Sequence, residues 1–314
     1  MTAALAGQRA DRVVARLFEV SRSVARSLVE EGRVVVDGRL VEPSTPLSAG
    51  SVIEVELPPT PAPVVAEEVP FQVRYEDEEV AVVDKPAGVV VHPGAGHRSG
   101  TLAAGLLHRW PELGGVGEEH RWGLVHRLDK DTSGLLVVAR TFRALRALRR
   151  EMAARRIERV YAALVHGGFP VPTGTIDAPV GRDPSRPTRM AVVREGRPAV
   201  THYRVGAEWD RPAVTLLEVR LESGRTHQVR VHLTSIGHAL VGDRTYGRPG
   251  PPGVDPGRVW LHAARLSFPH PVTGEAVAVS SSLPDDLAAS LDVLGRPSRG
   301  TTEEAGPGPR SAAR

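Results

Sequence analysis

The sequence predicts a two-part α+β protein, and three observations carry that prediction. Two short segments of helical period at the N-terminus are followed by segments of period two, the pattern of helices packed on a small hairpin. A proline-rich run, residues 58–63, then interrupts the chain. Beyond it, short apolar strands are separated by turns and a few helices, which is typical of a mixed α+β domain and not of regular βαβ alternation.

The pattern of residues 9–57 predicts two helices and a small sheet. Apolar residues recur at helical spacing from Arg9 to Leu17, and a second helix opens near Ser21 and ends at Gly32. Asp37-Gly38 lies between β-branched residues, which predicts a hairpin with a type I′ turn. Residues 52–57 then have the composition of a closing strand.

The charge balance does not by itself indicate a nucleic-acid-binding protein. The chain has 40 Lys and Arg against 37 Asp and Glu, a formal net charge of +3. Only arrangement could make a basic face on the two N-terminal helices. Arginines do recur there at helical spacing and could face phosphates, namely Arg9, Arg12, Arg16, Arg22 and Arg26. Solvated helix faces with local ion pairs are the alternative interpretation.

Composition excludes several classes of site. The chain has no cysteine, so disulfides, thiolate nucleophiles and Cys-ligated zinc are absent. The spacings of His92 with His97 and of His227 with His232 miss the one-turn arrangement of a zinc-binding helix, so we expect no metal site. Residues 1–7 lack the features of a signal peptide and no apolar run could span a bilayer, so we expect a cytoplasmic protein without a membrane partner.

Residues 126–134 read His-Arg-Leu-Asp-Lys-Asp-Thr-Ser-Gly and place Asp129 beside a cation, between short apolar segments. A carboxylate with a second cation close by stays ionised and can act as a nucleophile or a proton acceptor. Asp131 lies two residues further on and is a rival for that role. A turn leading into the apolar strand at residues 135–138 is the other interpretation of Asp131.

Four motifs, in order, resemble those of the RluA-type pseudouridine synthases. The motifs are Asp84-Lys85-Pro86-Ala87-Gly88 with Val91-His92-Pro93, the segment 126–134, Tyr161-Ala162-Ala163-Leu164-Val165, and Ser223-Gly224-Arg225-Thr226-His227-Gln228-Val229-Arg230. The resemblance spans residues 70–283, and the part before it resembles an S4 RNA-binding domain. Two departures are visible: Ser223 replaces a threonine, and Arg159 replaces a lysine that often precedes the tyrosine motif.

The resemblance implies a catalytic domain with a mixed, mostly antiparallel sheet behind a small S4-like α+β domain. It implies an isomerase that flips a uridine out of RNA, breaks the bond from N1 to the ribose and rejoins the base through C5. Neither a cofactor nor a metal is needed for that reaction, since nothing is oxidised and no group is transferred. RNA is the implied partner, and we expect a monomer.

The resemblance also assigns roles to three residues. Asp129 is the catalytic carboxylate, which attacks C1′, adds to C6 or removes a proton at C2′; the residues do not choose among these. Tyr161 packs on the flipped uracil and is placed to act on the C5 proton, and the alternative is a core tyrosine. Arg225 pairs with Asp129 and keeps the carboxylate charged.

Six further residues are expected to contact RNA or substrate. Arg127 is expected to enter the space that the flipped base leaves, and a role in ordering Asp129 is the alternative. Lys85 is expected at a strand end that lines the pocket. His126, from the same motif as Arg127, and three arginines of the S4-like part complete the set, namely Arg9, Arg22 and Arg26.

The arrangement of modules most resembles the D group of synthases that act on large-subunit ribosomal RNA. A transfer-RNA synthase and a non-catalytic S4-type RNA-binding or ribosome-assembly protein are the alternatives. The expected domain boundaries divide the chain into a disordered start (1–7), an S4-like domain (8–57), a linker (58–69), a catalytic domain (70–290) and a disordered tail (291–314).

Overall fold

The computed structural model describes residues 5–20, 22–57, 64–94, 97, 99–117 and 121–302. The chain divides into two compact units, residues 1–62 and residues 63–314. The first unit holds helices α1 (Ala10–Leu17) and α2 (Arg22–Glu30) and an antiparallel sheet of order β2-β1-β3, with β1 (Val34–Val36), β2 (Arg39–Leu40) and β3 (Ile53–Val55).

The predicted hairpin turn is confirmed. Val36 lies opposite Arg39, which leaves Asp37 and Gly38 as the two loop residues, and their φ angles are 47° and 74°. Positive φ at both positions is the requirement of a type I′ turn. The carboxylate of Asp37 also accepts a hydrogen bond from the Val52 N–H at 2.8 Å, which ties the turn to the approach to β3.

The expectation of a disordered start is wrong for residues 5–7. Leu5 is buried in the core of the first unit, and the Gly7 N–H donates to the Leu47 carbonyl at 2.8 Å. Leu5 packs in one cluster with apolar residues of α1 and α2, so burial and this hydrogen bond both hold the segment. Residues 1–4 lie outside the described residues.

The second unit contains four helices and twelve strands among its described residues. They are β4 (Gln72–Glu76), β5 (Val80–Lys85), α3 (Leu102–Arg109), β6 (Ser133–Ala139), α4 (Phe142–Ala153), β7 (Glu158–His166), β8 (Thr173–Asp177), β9 (Val180–Arg182), β10 (Met190–Val192), β11 (Val200–Asp210), β12 (Ala213–Leu221), α5 (Gln228–Ser235), β13 (Leu261–Pro269), β14 (Ala276–Ser280), α6 (Asp285–Leu294) and β15 (Arg299–Gly300).

Ten of these strands form one sheet with the order β15-β11-β12-β7-β13-β6-β5-β4, while β14 pairs with β13 and β8 with β11. Neighbouring strands run antiparallel except β6 and β13, which are parallel. The α+β class with a mixed, mostly antiparallel sheet is confirmed.

Strand β6 shows why an unbroken apolar run forms the middle of this sheet. Every one of its residues is buried, and alternate side chains enter different cores. Leu136 and Val138 pack in the cluster that contains α3, whereas Leu135 and Val137 pack in the cluster that contains α4. Because successive strand residues point to opposite faces, a strand covered on both sides needs apolar residues at every position.

The linker expected at residues 58–69 is wrong over residues 64–69. Val64 and Val69 are buried, and the Glu67 N–H donates to the Ala104 carbonyl of α3 at 3.3 Å. The Glu67 carboxylate accepts the Gly100 N–H at 2.7 Å. These residues are therefore part of the second unit, and residues 58–63 lie outside the described residues.

The disordered tail expected from residue 291 is wrong over residues 291–302. Helix α6 continues to Leu294, and the indole N–H of Trp209 donates to the Gly295 carbonyl at 3.0 Å. The Ser298 N–H then donates to the Glu208 carbonyl at 2.8 Å, and β15 pairs with β11. Backbone pairing orders this segment although it offers few apolar side chains. Residues 303–314 lie outside the described residues.

No helix in the described part of the chain combines the length and the apolarity needed to cross a membrane.

Candidate active site

A cavity of about 690 Å³ opens in the second unit where the segment before β6, strand β7 and the start of α5 meet. Its volume falls in the range of small-molecule and nucleotide pockets, roughly 300 to 1,000 Å³. Asp129, Tyr161 and Arg225, the three residues expected to be catalytic, all line it, and Arg127 and His126 do so too. The fold thus brings the separate motifs of the sequence to one place.

Asp129 is held by the backbone on both sides of it. Leu128 is buried in the core, and the Asp129 carbonyl accepts the Thr132 N–H at 3.2 Å. The next carbonyl, that of Lys130, accepts the Gly88 N–H at 2.9 Å and the Lys85 ammonium at 3.0 Å. These contacts fix the backbone from which the Asp129 side chain reaches the cavity.

The basic side chains beside this carboxylate are Arg230 and His227, not Arg225. Arg230 Nη1 lies 3.5 Å and His227 Nε2 lies 3.9 Å from Asp129 Oδ2. Arg225 instead donates from Nε to the Pro198 carbonyl at 3.1 Å. The prediction that Arg225 pairs with Asp129 is therefore wrong. Arg225 lines the cavity, but the arginine beside Asp129 is Arg230.

Local backbone geometry explains the exchange of arginines. His227 has a left-handed conformation, φ 55° and ψ 21°, and α5 begins after it at Gln228. Arg225 therefore lies in the turn before the helix, where its own N–H donates to the Gln228 side chain at 3.0 Å. Arg230 lies in the first helical turn and points toward Asp129.

A buried carboxylate fixes Arg230. Asp243, 1% exposed, receives hydrogen bonds from Arg230 Nε at 2.7 Å and Nη2 at 2.9 Å. It also accepts the N–H groups of Thr245 and Tyr246 at 2.9 and 3.0 Å. Burial alone would raise the pKa of Asp243, but the hydrogen bonds and charge of Arg230 outweigh it and lower that pKa. The bidentate pair leaves Nη1 of Arg230 directed at Asp129.

His227 is part of the same cluster. The Tyr246 hydroxyl lies 2.7 Å from Nδ1 of His227 and accepts the Met190 N–H at 2.9 Å. The hydroxyl proton is then available for Nδ1, so the neutral ring carries its proton on Nε2, which faces Asp129. Burial lowers the pKa of His227, with the Asp129 charge opposing that shift, so the neutral ring is favoured. A left-handed histidine is strained, a feature that concentrates at functional sites.

Tyr161 lies on β7 in the wall of the cavity and is 5% exposed. Burial raises its pKa, and the nearby Arg159 charge opposes this shift without cancelling it, so the hydroxyl is protonated at neutral pH. That hydroxyl has no hydrogen-bond partner within the described part of the chain. An apolar ring with an unpaired hydroxyl at the cavity suits stacking on a nucleobase and a hydrogen bond or proton transfer to it.

Comparison with known proteins identifies the family of this site. Residues 79–235 match the family described as RNA pseudouridylate synthase, and residues 8–53 match the S4 domain. The chain belongs to the RNA pseudouridine synthase family. A relative from Chloroflexus aurantiacus, an uncharacterized RNA pseudouridine synthase, is 49% identical over 91% of this chain and 90% of its own length.

A further relative and a solved structure support the same family. Ribosomal large subunit pseudouridine synthase D from Xanthomonas campestris pv. campestris is 44% identical over 92% of this chain and 89% of its own length. The solved structure of human RNA pseudouridylate synthase domain containing 1 is 28% identical, with a TM-score of 0.58 over 75% of this chain and 92% of its own length. The enzyme class, an isomerase of uridine in RNA, follows from this membership.

Lys85 does not line the cavity of the synthase, and that expectation is wrong. Its side chain is fully buried, and Nζ donates to three carbonyls, those of Pro86, Val89 and Lys130, at 2.8, 2.9 and 3.0 Å. Burial lowers the pKa of Lys85 to about 7, opposed by the charges of Asp131 and Asp129. Its hydrogen bond to the Lys130 carbonyl ties the end of β5 to the residue that follows Asp129.

His126 and Arg127 lie side by side but differ in charge. His126 Nε2 accepts the Val137 N–H at 3.2 Å, and burial, helped by Arg159, lowers its pKa to about 3, so the ring is neutral. Arg127 is exposed, and its guanidinium makes no ion pair or hydrogen bond with the described residues. An unpaired guanidinium at the mouth of the cavity is available to RNA, and for both residues contact with RNA stays a prediction.

The three arginines expected to bind RNA in the first unit all carry ion pairs. Arg9 and Arg22 share the buried Asp11 at 3.0 and 3.4 Å, and Arg26 pairs with Glu30 at 2.7 Å. Two guanidinium groups on one carboxylate leave an excess positive charge, and all three side chains remain at least 44% exposed. Binding of phosphates by this face stays a prediction.

One histidine of the pair His227 and His232 has partners at both ring nitrogens. His232 is buried, with Nδ1 at 2.8 Å from Thr201 Oγ1 and Nε2 at 2.9 Å from the Ala178 carbonyl. Among the described residues, no three His, Cys, Asp or Glu side chains are grouped so that they could hold a metal ion.

Sequence reasoning assigned no role to three residues of this cluster, Arg230, Asp243 and Tyr246, and it named His227 only within its motif and in a histidine pair. One signal was present: Arg230 falls in the first turn of a helix that follows the motif, where its side chain can reach back toward the loop. The contribution of Asp243 has no signal in the sequence, since an aspartate in a Val-Gly-Asp turn is ordinarily a turn former.

Proposed function

We infer that the synthase converts uridine to pseudouridine in large-subunit ribosomal RNA, with Asp129 as its catalytic carboxylate. One observation carries the choice of residue. Of the two candidate carboxylates, Asp129 lines the cavity with Arg230 and His227 beside it, whereas Asp131 is exposed and does not line the cavity. A guanidinium this close orients the carboxylate toward the cavity.

The geometry supports a different role for each of three side chains at the cavity. Asp129 offers an ionised oxygen that can attack the nucleoside or accept a proton from it. Arg230, fixed by Asp243, lies 3.5 Å from that oxygen and orients it. Tyr161 offers a ring face for the flipped uracil, and stacking of about 1 to 3 kcal/mol would offset part of the few kcal/mol that unstacking the nucleotide costs.

The ribosomal substrate is inferred from relatives and from domain content. Proteins named ribosomal large subunit pseudouridine synthase D are 42–44% identical to this chain over 92% of it, and an S4 domain precedes the synthase domain here. Ribosomal RNA is modified in the cytoplasm of bacteria, and we infer that location for the enzyme. Mapping pseudouridine in ribosomal and transfer RNA with and without the gene tests the substrate: sites lost in transfer RNA alone would contradict it.

The role of Asp129 is tested with RNA that carries tritium at uracil C5. Forming the new C5–C1′ bond releases the C5 hydrogen, so turnover releases tritium to water. We expect Asp129→Asn to bind RNA as the wild type does and to release no tritium. The matched control is Asp131→Asn, which removes the neighbouring carboxylate and should leave release unchanged. Equal release by Asp129→Asn and the wild type would remove Asp129 from the chemistry.

A further inference from the structure

One buried cation in the cavity, Arg159, has no counter-charge among the described residues. Arg159, on β7, is 5% exposed, and its guanidinium makes no ion pair and no hydrogen bond with any described residue. Its Nε is buried without a partner. Arg230, another arginine of the cavity, has its own carboxylate in Asp243.

An isolated buried cation is costly. Removing a charged group from water without a compensating charge or hydrogen bond destabilises a folded protein by several kcal/mol, so buried guanidinium groups are ordinarily paired. An unpaired guanidinium that is enclosed by protein on every side but the cavity indicates that its partner is part of the ligand. The free enzyme retains this unfavourable charge because the bound state uses it.

The guanidinium tip lies at the edge of the cavity. A side chain added at Gly224, another cavity residue, would place its Cβ 2.7 Å from Arg159 Nη1, so the absence of a side chain there leaves room for the tip. The charge of Arg159 also acts on two other cavity groups, since it opposes the raised pKa of Tyr161 and contributes to the lowered pKa of His126. The tip is therefore close to the place where the nucleotide would lie.

The spacing along β7 matches one nucleotide. Arg159 and Tyr161 are alternate residues of the strand and point to the same side of the sheet, about 6.7 Å apart along it. A uridine that stacks on Tyr161 brings one negative charge, on its backbone phosphate, because the base and the ribose are neutral. We propose that Arg159 binds a phosphate of the flipped uridine nucleotide. This inference rests on the proposed function in one respect, the placement of the uracil on Tyr161.

Two variants of Arg159 test the proposal. Arg159→Met keeps an unbranched side chain and removes the charge, and Arg159→Lys keeps the charge. The probe is an unmodified transcript of large-subunit ribosomal RNA, with Kd measured by filter binding between about 50 and 200 mM salt. We expect Arg159→Met to bind about 10- to 100-fold more weakly, the range for losing one hydrogen bond to a charged group. The slope of log Kd against log salt should fall by about 0.7 to 0.9, the value for one phosphate contact.

Thermal unfolding separates this role from a structural one. Because Arg159 is buried without a counter-charge, Arg159→Met should unfold at the same temperature as the wild type or at a higher one, while its RNA binding falls. A residue that merely supports the fold would lose stability and binding together. Arg159→Lys should retain the wild-type salt slope. The charge-matched control is Arg109→Met, which removes a half-exposed arginine outside the cavity and should leave the slope unchanged.

Three results would overturn the proposal. Weaker binding with an unchanged salt slope would mean that Arg159 contacts a neutral group such as a uracil carbonyl. A lower unfolding temperature for both Arg159 variants would mean a structural role. An equal loss of slope in Arg109→Met would mean a general effect of net charge. Failure of the proposed function looks different, because Asp129→Asn would then release tritium while the salt slopes of the Arg159 variants stay as expected.

Discussion

The Asp243→Asn variant tests how far the chemistry depends on a residue that does not line the cavity. The change keeps the size of the side chain and its ability to accept the Thr245 and Tyr246 N–H groups, but it removes the charge opposite Arg230. Asp243 is 1% exposed and the Arg230 side chain 11% exposed, so the pair is buried. Removing one partner of a buried pair costs about 3 to 5 kcal/mol.

We expect a loss near the lower end of that range, about 3 kcal/mol, because the amide oxygen still accepts hydrogen bonds. For a unit of the size of residues 63–314, the loss lowers the unfolding temperature by roughly 6 °C. Arg230 is then free to move away from Asp129, and a misplacement of about 1 Å reduces turnover on the order of 100-fold. RNA binding should change little, since Asp243 does not line the cavity.

The assay is tritium release at saturating RNA, well below the unfolding temperature, together with Kd for RNA and urea unfolding. Glu151→Gln is the matched control, because Glu151 forms the same bidentate arrangement with Arg156, whose side chain is 58% exposed. We expect that surface pair to contribute at most about 1 kcal/mol. Wild-type turnover in Asp243→Asn, or a destabilisation no larger than that of Glu151→Gln, would refute the positioning role.

Three further outcomes follow from the structure. Arg230→Met should abolish tritium release, whereas Arg225→Met should retain most of it while weakening RNA binding; equal loss of turnover in both would contradict the assignment of the ion pair. The pKa of Lys85 is about 7 in the folded protein and 10.5 when unfolded, so between these values the unfolded state binds one more proton. The free energy of unfolding should therefore rise with pH across that window. Urea unfolding should show a smaller rise in Lys85→Met. Gly134→Ala should lower the free energy of unfolding by at least about 2 kcal/mol, because φ is 114° and a Cβ would lie 2.4 Å from a β13 carbonyl. Gly88→Ala, where φ is positive but the space is open, should lower it by about 1 kcal/mol. Equal losses would exclude the close contact as the cause.

Much of the fold could be predicted from local pattern. The Asp37-Gly38 turn and the apolar run at residues 135–138 are specified by neighbours in sequence, since turn type and strand burial are local properties. Order in residues 5–7 and 295–301 could not be predicted, because it depends on backbone hydrogen bonds to partners distant in sequence, the Leu47 and Glu208 carbonyls.

The candidate site also has residues that the sequence predicts and residues that only the structure shows. The motif containing Asp129 and the strand containing Tyr161 are recognisable as sequence, and the structure brings both to the cavity. The choice between Arg225 and Arg230 depends on where α5 begins, and that is decided by the left-handed backbone of His227. The buried Asp243 that fixes Arg230 comes from a turn 13 residues later, so only the tertiary structure shows it.

Strand β15 has a practical consequence for shortening the polypeptide. It covers β11 at Ala207 and Glu208, and β8 covers the same side of β11 from Val200 to Arg204. A truncated chain ending at Leu294 would uncover unpaired N–H and C=O groups, which invite pairing between molecules and precipitation during purification. A shortened polypeptide should therefore retain β15 and Thr301, whose N–H donates to the Gly206 carbonyl at 3.0 Å.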